Sequence, residues 1–164
     1  MGTKYTVVEK KLDKEISLVL AEGEAPYKLK SGKTTYSDFL SNPMQIIQTI
    51  RAGIPYTLFS TISDYTPFTE KDWAEFLDIS TKSLQRYKQS NHQFKPIHTE
   101  KIIEMSEVTH AGLEFFRSNE KFRLWLDTPN FALGNLPPIE LLKDSYGKEM
   151  VMAEITRLSH GIFA

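Results

Sequence analysis

The amino-acid sequence predicts an all-α protein, and three observations lead to this prediction. Apolar residues recur at three- and four-residue spacing along most of the chain, which is the period of an amphipathic helix. Residues that favour helix starts, such as Pro43 and Ser118, precede several of these segments. After residue 40, no segment shows the alternation of apolar and polar residues that is typical of a half-buried strand.

The first 40 residues are predicted to form an N-terminal extension, residues 1–40. In it, Ile16, Val19 and Leu20 lie at helical spacing, so a helix near Leu12–Glu22 fits the sequence. The segment GEAPYKLKSGK that follows has the composition of a loop. The sequence leaves open whether this extension is a dimerisation arm or a flexible tail.

Three helices are predicted next, between residues 43 and 77. Asn42-Pro43 begins the first helix and Pro55 the second, which ends before Pro67. Thr69 and Asp72 resemble a capping box at the start of the third helix. The apolar positions of the three helices are Ile46, Ile47, Ile50, Leu58, Phe59, Ile62, Trp73, Ala74, Phe76 and Leu77.

Further helices are predicted after residue 80. Ser80 caps the first of them, and Pro96 ends that segment. A longer helix runs from about Thr99 to Arg117, and Ser118 is the N-cap of the next one. The last two predicted helices are a short one that Tyr146-Gly147 ends and a final one from about Lys148 to His160.

The composition excludes several kinds of chemistry. The 164 residues include no cysteine, which excludes disulfides, thiolate metal sites and a cysteine nucleophile. The histidines lack metal-ligand spacing, and no P-loop or nucleophile elbow is present. These four residues are His92, His98, His110 and His160. We therefore predict that the protein is not an enzyme and has no catalytic residue, metal or cofactor.

Neither a membrane nor an export signal is predicted. No apolar run approaches the roughly 20 residues that span a bilayer. The N-terminus carries scattered charges and lacks the cleavage-site pattern of a signal peptide. We expect a cytoplasmic protein.

The segment TEKDWAEFLDISTKSLQRYKQ has the pattern of a helix-turn-helix. Ala74 is the small residue that this motif needs within its first helix, and Leu84 is the apolar anchor on its second helix. Asp78-Ile79-Ser80 would form the turn, with Ile79 facing the core. Many such motifs carry glycine where this chain has Asp78, because the position favours a positive φ, which Asp tolerates better than most residues.

The charge distribution indicates that the second helix of this motif binds DNA. The net charge of the chain is −1, but the segment from Ile79 to Thr99 contains no acidic residue and carries four cations: Lys82, Arg86, Lys88 and Lys95. In a recognition helix running from Ser80 to Gln89, the N-terminal residues face base edges. The predicted DNA-binding residues are Thr81, Lys82, Ser83, Gln85, Arg86, Lys88 and Gln89. The alternative is a pair of ordinary amphipathic helices with solvated polar faces.

From Phe122 to Phe163 the chain resembles the toxin-binding domain of the Xre/MbcA/ParS antitoxin family. The motifs that carry the resemblance are Trp125-Leu126, Pro129-Asn130, Ala132-Leu133-Gly134, Pro137, Leu141-Leu142, Gly147, Val151, Leu158 and Gly161-Ile162-Phe163. With the helix-turn-helix, the resemblance covers roughly residues 40 to 164. Two positions depart from the family pattern: Asn135 replaces a common second glycine, and Pro138 replaces a residue that is often polar.

The resemblance implies that this chain is the antitoxin of a type II toxin–antitoxin pair. Similar antitoxins neutralise RES-domain toxins or related proteins that act on NAD⁺, and they repress their own operon. The implied fold is a helix-turn-helix domain, residues 41–117, packed on a small helical toxin-binding domain, residues 118–164. The implied toxin-binding residues are Asn130, Leu133, Gly134, Pro137, His160, Gly161, Ile162 and Phe163.

Several questions stay open at this stage. The apolar end Ile162-Phe163 must either fold back on its own core or bury in a partner. A homodimer is expected, because helix-turn-helix proteins usually bind paired half-sites on operator DNA. Two rival hypotheses remain: a transcriptional regulator whose C-terminal domain only oligomerises, and a toxin inhibitor whose helix-turn-helix is a scaffold. The operator sequence and the chemistry of the toxin do not follow from the residues.

Overall fold

The computed structural model describes residues 2–22 and 34–161, with side chains from residue 7 onward. These residues form no β-sheet, so the predicted all-α class is confirmed. The helices are α1 (Gly2–Glu22), α2 (Tyr36–Leu40), α3 (Pro43–Ala52), α4 (Tyr56–Tyr65), α5 (Glu70–Phe76), α6 (Thr81–Ser90), α7 (Pro96–Phe116), α8 (Asn119–Asp127), the 3₁₀ helix η1 (Phe131–Leu133), α9 (Pro138–Leu141) and α10 (Ser145–Ser159). No helix among the described residues is long and apolar enough to span a bilayer.

The chain folds into two compact units. Unit 1 contains Met1–Tyr65 and Lys82–Ile103, and unit 2 contains Thr66–Thr81 and Glu104–Ala164. This division follows packing rather than chain order, so each unit is built from two separate stretches of sequence. The functional boundaries predicted after residues 40 and 117 remain a prediction.

In unit 1, helix α1 packs against α4. Leu12 and Ile16 are fully buried on this helix. Asp13 Oδ1 accepts a hydrogen bond from the backbone N–H of Tyr36 (2.7 Å). The helix predicted near Leu12–Glu22 therefore begins ten residues earlier, at Gly2, and its described side chains belong to the core of unit 1.

Unit 1 also contains a short antiparallel contact that joins the segment after α6 to the start of α4. The N–H of Phe94 donates to the carbonyl of Ile54, and the N–H of Tyr56 donates to the carbonyl of His92, each at 2.8 Å. Gly53 makes this close approach possible, because a Cβ there would overlap the carbonyl oxygen of Phe94 and its φ is +79°. Helix α6 is thus tied through its C-terminal loop to the core of unit 1.

In unit 2, two aromatic residues of α5 form a cluster with Phe68, which lies just before the N-cap of this helix. The rings of Phe68, Trp73 and Phe76 meet edge to face, with centroids 5.0 to 5.9 Å apart. Elsewhere in the unit, the ring of Phe122 lies directly over Gly112, where any side chain would overlap it. All three cluster rings and Phe122 are buried.

Three predicted helix starts are confirmed by their capping hydrogen bonds. Asn42 Oδ1 accepts from the N–H of Gln45 (3.2 Å), and Ser118 Oγ accepts from the N–H of Lys121 (3.3 Å). Thr69 and its partner three residues later form a reciprocal capping box at the start of α5. These signals are local in sequence, so they can be read without tertiary structure.

Two predicted helix boundaries are wrong. The long helix α7 begins at Pro96, three residues before its predicted start at about Thr99. Pro96 therefore both ends the preceding segment, as predicted, and opens α7, where its missing N–H costs no hydrogen bond. Gly147 does not end a helix but lies in the first turn of α10, which Asp144 caps through the Gly147 N–H (2.7 Å). A Cβ at position 147 would overlap the carbonyl oxygen of Leu141, so this glycine allows a close approach of the two backbones.

Candidate functional site

The turn after α5 has the geometry that the helix-turn-helix pattern predicts. Asp78 has a φ of 52°, which confirms the expected positive φ at the position where similar motifs carry glycine. The N–H of Ile79 donates to the carbonyl of Ala74 (3.0 Å), so the turn closes back on α5. Ile79 itself is half-buried, and α6 begins at Thr81, one residue after the predicted cap.

Helix α6 has one buried residue and a polar outer face. Leu84, the predicted anchor, is 3% exposed. Six of the seven predicted DNA-binding side chains are exposed, and the seventh, Ser83, is half-buried. The exposed six are Thr81, Lys82, Gln85, Arg86, Lys88 and Gln89.

The cations near α6 are available to an anionic ligand. In the described part of the chain, no carboxylate forms an ion pair with Lys82, Arg86, Lys88 or Lys95. The ring of Tyr87 on α6 stacks on the ring of His92, which follows the helix, with centroids 3.8 Å apart. The guanidinium carbon of Arg86 lies 5.9 Å from the centroid of the same Tyr87 ring, so this cation contacts an aromatic face rather than a carboxylate. A helix with unpaired cations and amide side chains suits contacts to phosphates and base edges.

Asn130 organises the loop between α8 and α9. Its Oδ1 accepts from the N–H of Ala132 (2.8 Å), and its carbonyl accepts from Leu133 (3.0 Å) and Asn135 (2.9 Å). Its own N–H donates to the carbonyl of Leu136 (3.1 Å), which closes the loop. This predicted toxin-binding residue therefore shapes the loop rather than presenting a free side chain.

The side chains of this loop divide into buried and exposed. Leu133 is 4% exposed and belongs to the interior of unit 2, whereas Phe131, two residues earlier, is 87% exposed. Gly134 and Asn135 both have positive φ, 72° and 61°, so the asparagine that departs from the family pattern still adopts the left-handed conformation. The loop thus directs Phe131 outward.

The remaining predicted toxin-binding residues are spread over unit 2. Pro137 is half-buried, and His160 and Gly161 are exposed just after α10. Ile162 and Phe163 lie outside the described residues. Six of the eight predicted residues are described: Asn130, Leu133, Gly134 and Pro137 lie between α8 and α9, and His160 and Gly161 follow α10.

Four exposed apolar side chains that sequence reasoning missed lie in this loop and on α10. Phe131 and Leu136 are in the loop and Tyr146 and Met150 are on α10, and we refer to these four residues together as the apolar patch. Tyr146 and Met150 are 85% and 47% exposed and occupy one face of α10, because they are four residues apart. The next residue on that face, Glu154, meets the loop through the Nδ2 of Asn130 (3.5 Å). The i, i+4 spacing was a readable signal, but the sequence does not say which face of α10 is buried.

Glu154 and Arg157 form an ion pair on α10, next to Asn130 of the loop. Glu154 is 7% exposed and accepts two hydrogen bonds from Arg157, from Nε and Nη2, each at 2.9 Å. These bonds hold the pKa of the Glu154 carboxyl below its ordinary value, and they raise the pKa of Arg157. The carboxylate is therefore charged at neutral pH and stays available to Asn130.

No group of three metal-binding side chains occurs among the described residues. The described residues present two chemically different surfaces: the basic helix α6 in unit 1 and the exposed apolar residues of the patch in unit 2.

Two family models match this chain, one over the helix-turn-helix and one over the C-terminal segment. The family model for the antitoxin Xre-like helix-turn-helix domain matches residues 45–105, and the model for the antitoxin Xre/MbcA/ParS C-terminal toxin-binding domain matches residues 111–161. A protein named Antitoxin Xre from Yersinia enterocolitica serotype O:8 / biotype 1B is 26% identical over 120 residues, which are 73% of this chain and 81% of that protein.

A solved structure has a similar fold. A chain of the M. tuberculosis MbcT–MbcA toxin–antitoxin complex aligns with a TM-score of 0.54 and 24% sequence identity. The alignment covers 65% of this chain and 97% of that chain. The predicted relation to the Xre/MbcA/ParS family is thereby confirmed by two family models and a relative.

Proposed function

Because this chain belongs to the Xre/MbcA/ParS antitoxin family, we propose that it neutralises a cognate toxin by direct binding and represses its own operon by binding DNA. The observation that carries this proposal is the presence of two unlike surfaces on one chain. One is a helix with unpaired cations, and the other is a patch of exposed aromatic and aliphatic side chains.

The apolar patch supports toxin binding. Large apolar side chains that are left on the surface close to one another mark protein interaction sites, and exposed aromatic residues are the side chains most often found as binding hot spots. Phe131 and Tyr146 are such residues. The fold is similar to that of a chain from a solved toxin–antitoxin complex. That the toxin is a RES-type protein acting on NAD⁺ rests on the family resemblance alone.

Helix α6 supports operator binding. Its exposed Lys82 and Arg86 are one turn apart and face the same side, where they can contact adjacent phosphates or guanine edges. A helix-turn-helix usually acts as a dimer on two half-sites, so we propose a homodimer on a palindromic operator. Phosphate contacts release counterions, and operator affinity is therefore expected to fall steeply with salt.

A pull-down from the native host tests this proposal, with the full chain as bait. We expect a small protein to co-purify that arrests growth when expressed alone and is harmless when co-expressed with this chain. Recovery of DNA without any such protein would favour a transcriptional regulator whose C-terminal domain only oligomerises. Recovery of the toxin by a chain that binds no upstream DNA would favour a toxin inhibitor whose helix-turn-helix is a scaffold.

A further inference from the structure

Two long stretches of unit 1 contain no acidic residue, and the fold brings them together. Residues 39–63 and residues 79–99 both lack Asp and Glu. They meet at the antiparallel contact that joins the segment after α6 to the start of α4. The acid-free region of unit 1 is therefore larger than α6 and includes the end of α3.

Side-chain hydrogen bonds fasten the loop after α6 to the end of α3 and to the start of α4. Gln93 Nε2 donates to the carbonyl of Ala52 (3.5 Å), which is the residue next to Arg51. Asn91 Oδ1 accepts from the N–H of Thr57 (3.3 Å) in the first turn of α4. The loop after α6 and the last turn of α3 are therefore held side by side.

Two cations lie at this junction, and we call Arg51 together with residues 91–95 the basic strip. The side chains of Arg51 and Lys95 are exposed, and no carboxylate in the described part of the chain forms an ion pair with either. The backbone around Lys95 is fixed, because Phe94 before it is buried and the carbonyl of Lys95 accepts from the N–H of Thr99 (2.9 Å). A cation on a fixed backbone loses less conformational entropy on binding an anion than a cation on a mobile loop.

The first helix of the motif, α5, has a charge that does not favour phosphate contacts. In a docked helix-turn-helix the first helix crosses the DNA backbone, and contacts to phosphate come mainly from cations and polar groups. Helix α5 carries three carboxylates and one cation: Glu70, Asp72, Glu75 and Lys71. Cations elsewhere in unit 2 form ion pairs with Asp72 and Glu75, so α5 and its partners together have no excess of positive charge.

We infer that the basic strip binds the sugar–phosphate backbone of the operator beside the base pairs that α6 contacts. This inference rests on the proposed operator binding and extends it to residues outside the helix-turn-helix. Arg51 and Lys95 supply the positive charge, while Asn91 and Gln93 hold the loop in place. Phosphate contacts fix the register of a protein on the duplex and carry no sequence information. The basic strip thus supplies backbone contacts that the charge of α5 does not favour.

The test compares DNA binding by the full chain and by Arg51→Gln/Lys95→Gln at several salt concentrations. The probes are a duplex of the DNA upstream of the chain's own gene and a scrambled duplex of the same length and composition. Each lost phosphate contact lowers the slope of log affinity against log salt by about one, so we expect the slope to fall by about two for each bound chain. Affinity should fall by the same factor for both duplexes, so that the preference for the upstream DNA is kept.

Two control variants isolate the effect of charge at these positions. Arg51→Lys/Lys95→Arg keeps both charges and should retain the salt slope of the unmodified chain. Lys71→Gln removes an exposed cation from α5 and should leave the slope unchanged. Arg51 also lies in the last turn of α3, where a cation favours the helix dipole, so the thermal midpoint of each variant is measured as well. If the double variant does not fold, Lys95→Gln alone decides the question, with an expected fall in slope of about one.

The outcomes separate this inference from the proposed function. If the unmodified chain prefers the upstream DNA and Arg51→Gln/Lys95→Gln has the same salt slope, the basic strip is overturned but operator binding is not. A variant that loses the preference for the upstream DNA would show that these side chains read bases, which overturns their assignment to phosphate. A lower slope in Lys71→Gln would assign backbone contacts to α5 and overturn the argument from its charge. An unmodified chain without any preference for the upstream DNA overturns operator binding, and this inference with it.

Discussion

At the residue scale, a few polar side chains decide the shape of the surfaces. Asn130 makes four hydrogen bonds within its own loop through its side chain and backbone, and its side-chain amide also donates to Glu154 on α10. Such a residue contributes to binding by positioning its neighbour Phe131 rather than by contact. Its effect should therefore be visible in stability as well as in affinity.

We expect Asn130→Ala to lower the free energy of unfolding by about 1 kcal/mol, because η1 loses its N-cap. Toxin affinity should fall as well, since the loop that carries Phe131 is no longer held to Glu154. Urea unfolding and a titration with the toxin measure the two effects. Asn135→Gly is the matched control, because glycine keeps the positive φ at that position. Equal affinity of Asn130→Ala and the unmodified chain would contradict the positioning role.

The Glu154–Arg157 pair predicts a dependence of stability on pH. Arg157 lowers the pKa of the Glu154 carboxyl in the folded chain below its ordinary value of 4.5. The pair therefore stabilises the fold fully above that ordinary pKa, and this contribution is lost as the pH falls through the lowered one. The free energy of unfolding in urea is measured for the unmodified chain and for Glu154→Gln at pH ~7 and at pH ~3, and the difference between the two proteins should be smaller at the lower pH. A difference of the same size at both pH values would argue against a stabilising role of the pair.

At the element scale, sequence spacing predicts that a helix forms but not which face is covered. The predicted apolar face of α3 is an example: Ile46 and Ile50 are only half-buried and Ile47 is 41% exposed, while Thr49 is buried. In α6, by contrast, the amphipathic pattern does separate the buried Leu84 from an exposed basic face. The function of α6 can therefore be tested by changing surface residues alone.

The variant Lys82→Ala/Arg86→Ala should abolish operator binding at physiological salt and leave toxin neutralisation intact. If each side chain contacts one phosphate, the slope of log affinity against log salt should also fall by about two. Gel shifts at several salt concentrations and a co-expression growth assay give the two readouts. Lys10→Ala/Lys14→Ala removes the same charge from exposed positions on α1 and should leave operator affinity almost unchanged. Unaltered DNA affinity of the α6 variant would rule out this recognition helix.

At the scale of the whole molecule, packing divides the chain differently from its predicted functional domains. Helix α5 shares a unit with the toxin-binding domain through Arg123 and Asp72, which are 51 residues apart in sequence. The two proposed activities lie on different units, since α6 belongs to one and the apolar patch to the other. The two surfaces can therefore be disabled separately.

Phe131→Ala and Tyr146→Ala should each weaken toxin binding by roughly 30-fold or more if these residues are hot spots. The thermal midpoint should hardly change, because both side chains are more than four-fifths exposed in the free chain. Operator affinity measured without toxin should also be unaffected. Ile97→Ala removes another exposed apolar side chain, 72% exposed, from unit 1 and serves as the control for toxin binding. Normal neutralisation of the toxin by both variants would show that the toxin binds a surface other than the apolar patch.

Features that depend on neighbours within a few residues could be predicted from the amino-acid sequence alone. These include the N-caps Asn42 and Ser118, the positive φ of Asp78, the acid-free basic helix α6 and the family motifs from Trp125 onward. Each depends on backbone hydrogen bonds, local sterics or local charge, so the residue types and their spacing are sufficient to predict it.

Which side chains are covered and which are left exposed became clear only from the folded chain. It placed Leu133 inside and Phe131 outside, put Gly147 within a helix where a Cβ would overlap Leu141, and joined Arg123 to Asp72. The physical reason is that burial and ion pairing depend on segments that meet in space after being far apart in sequence. Periodicity reports that a helix has an apolar face, but the neighbours that cover that face are chosen by the packing of the whole unit.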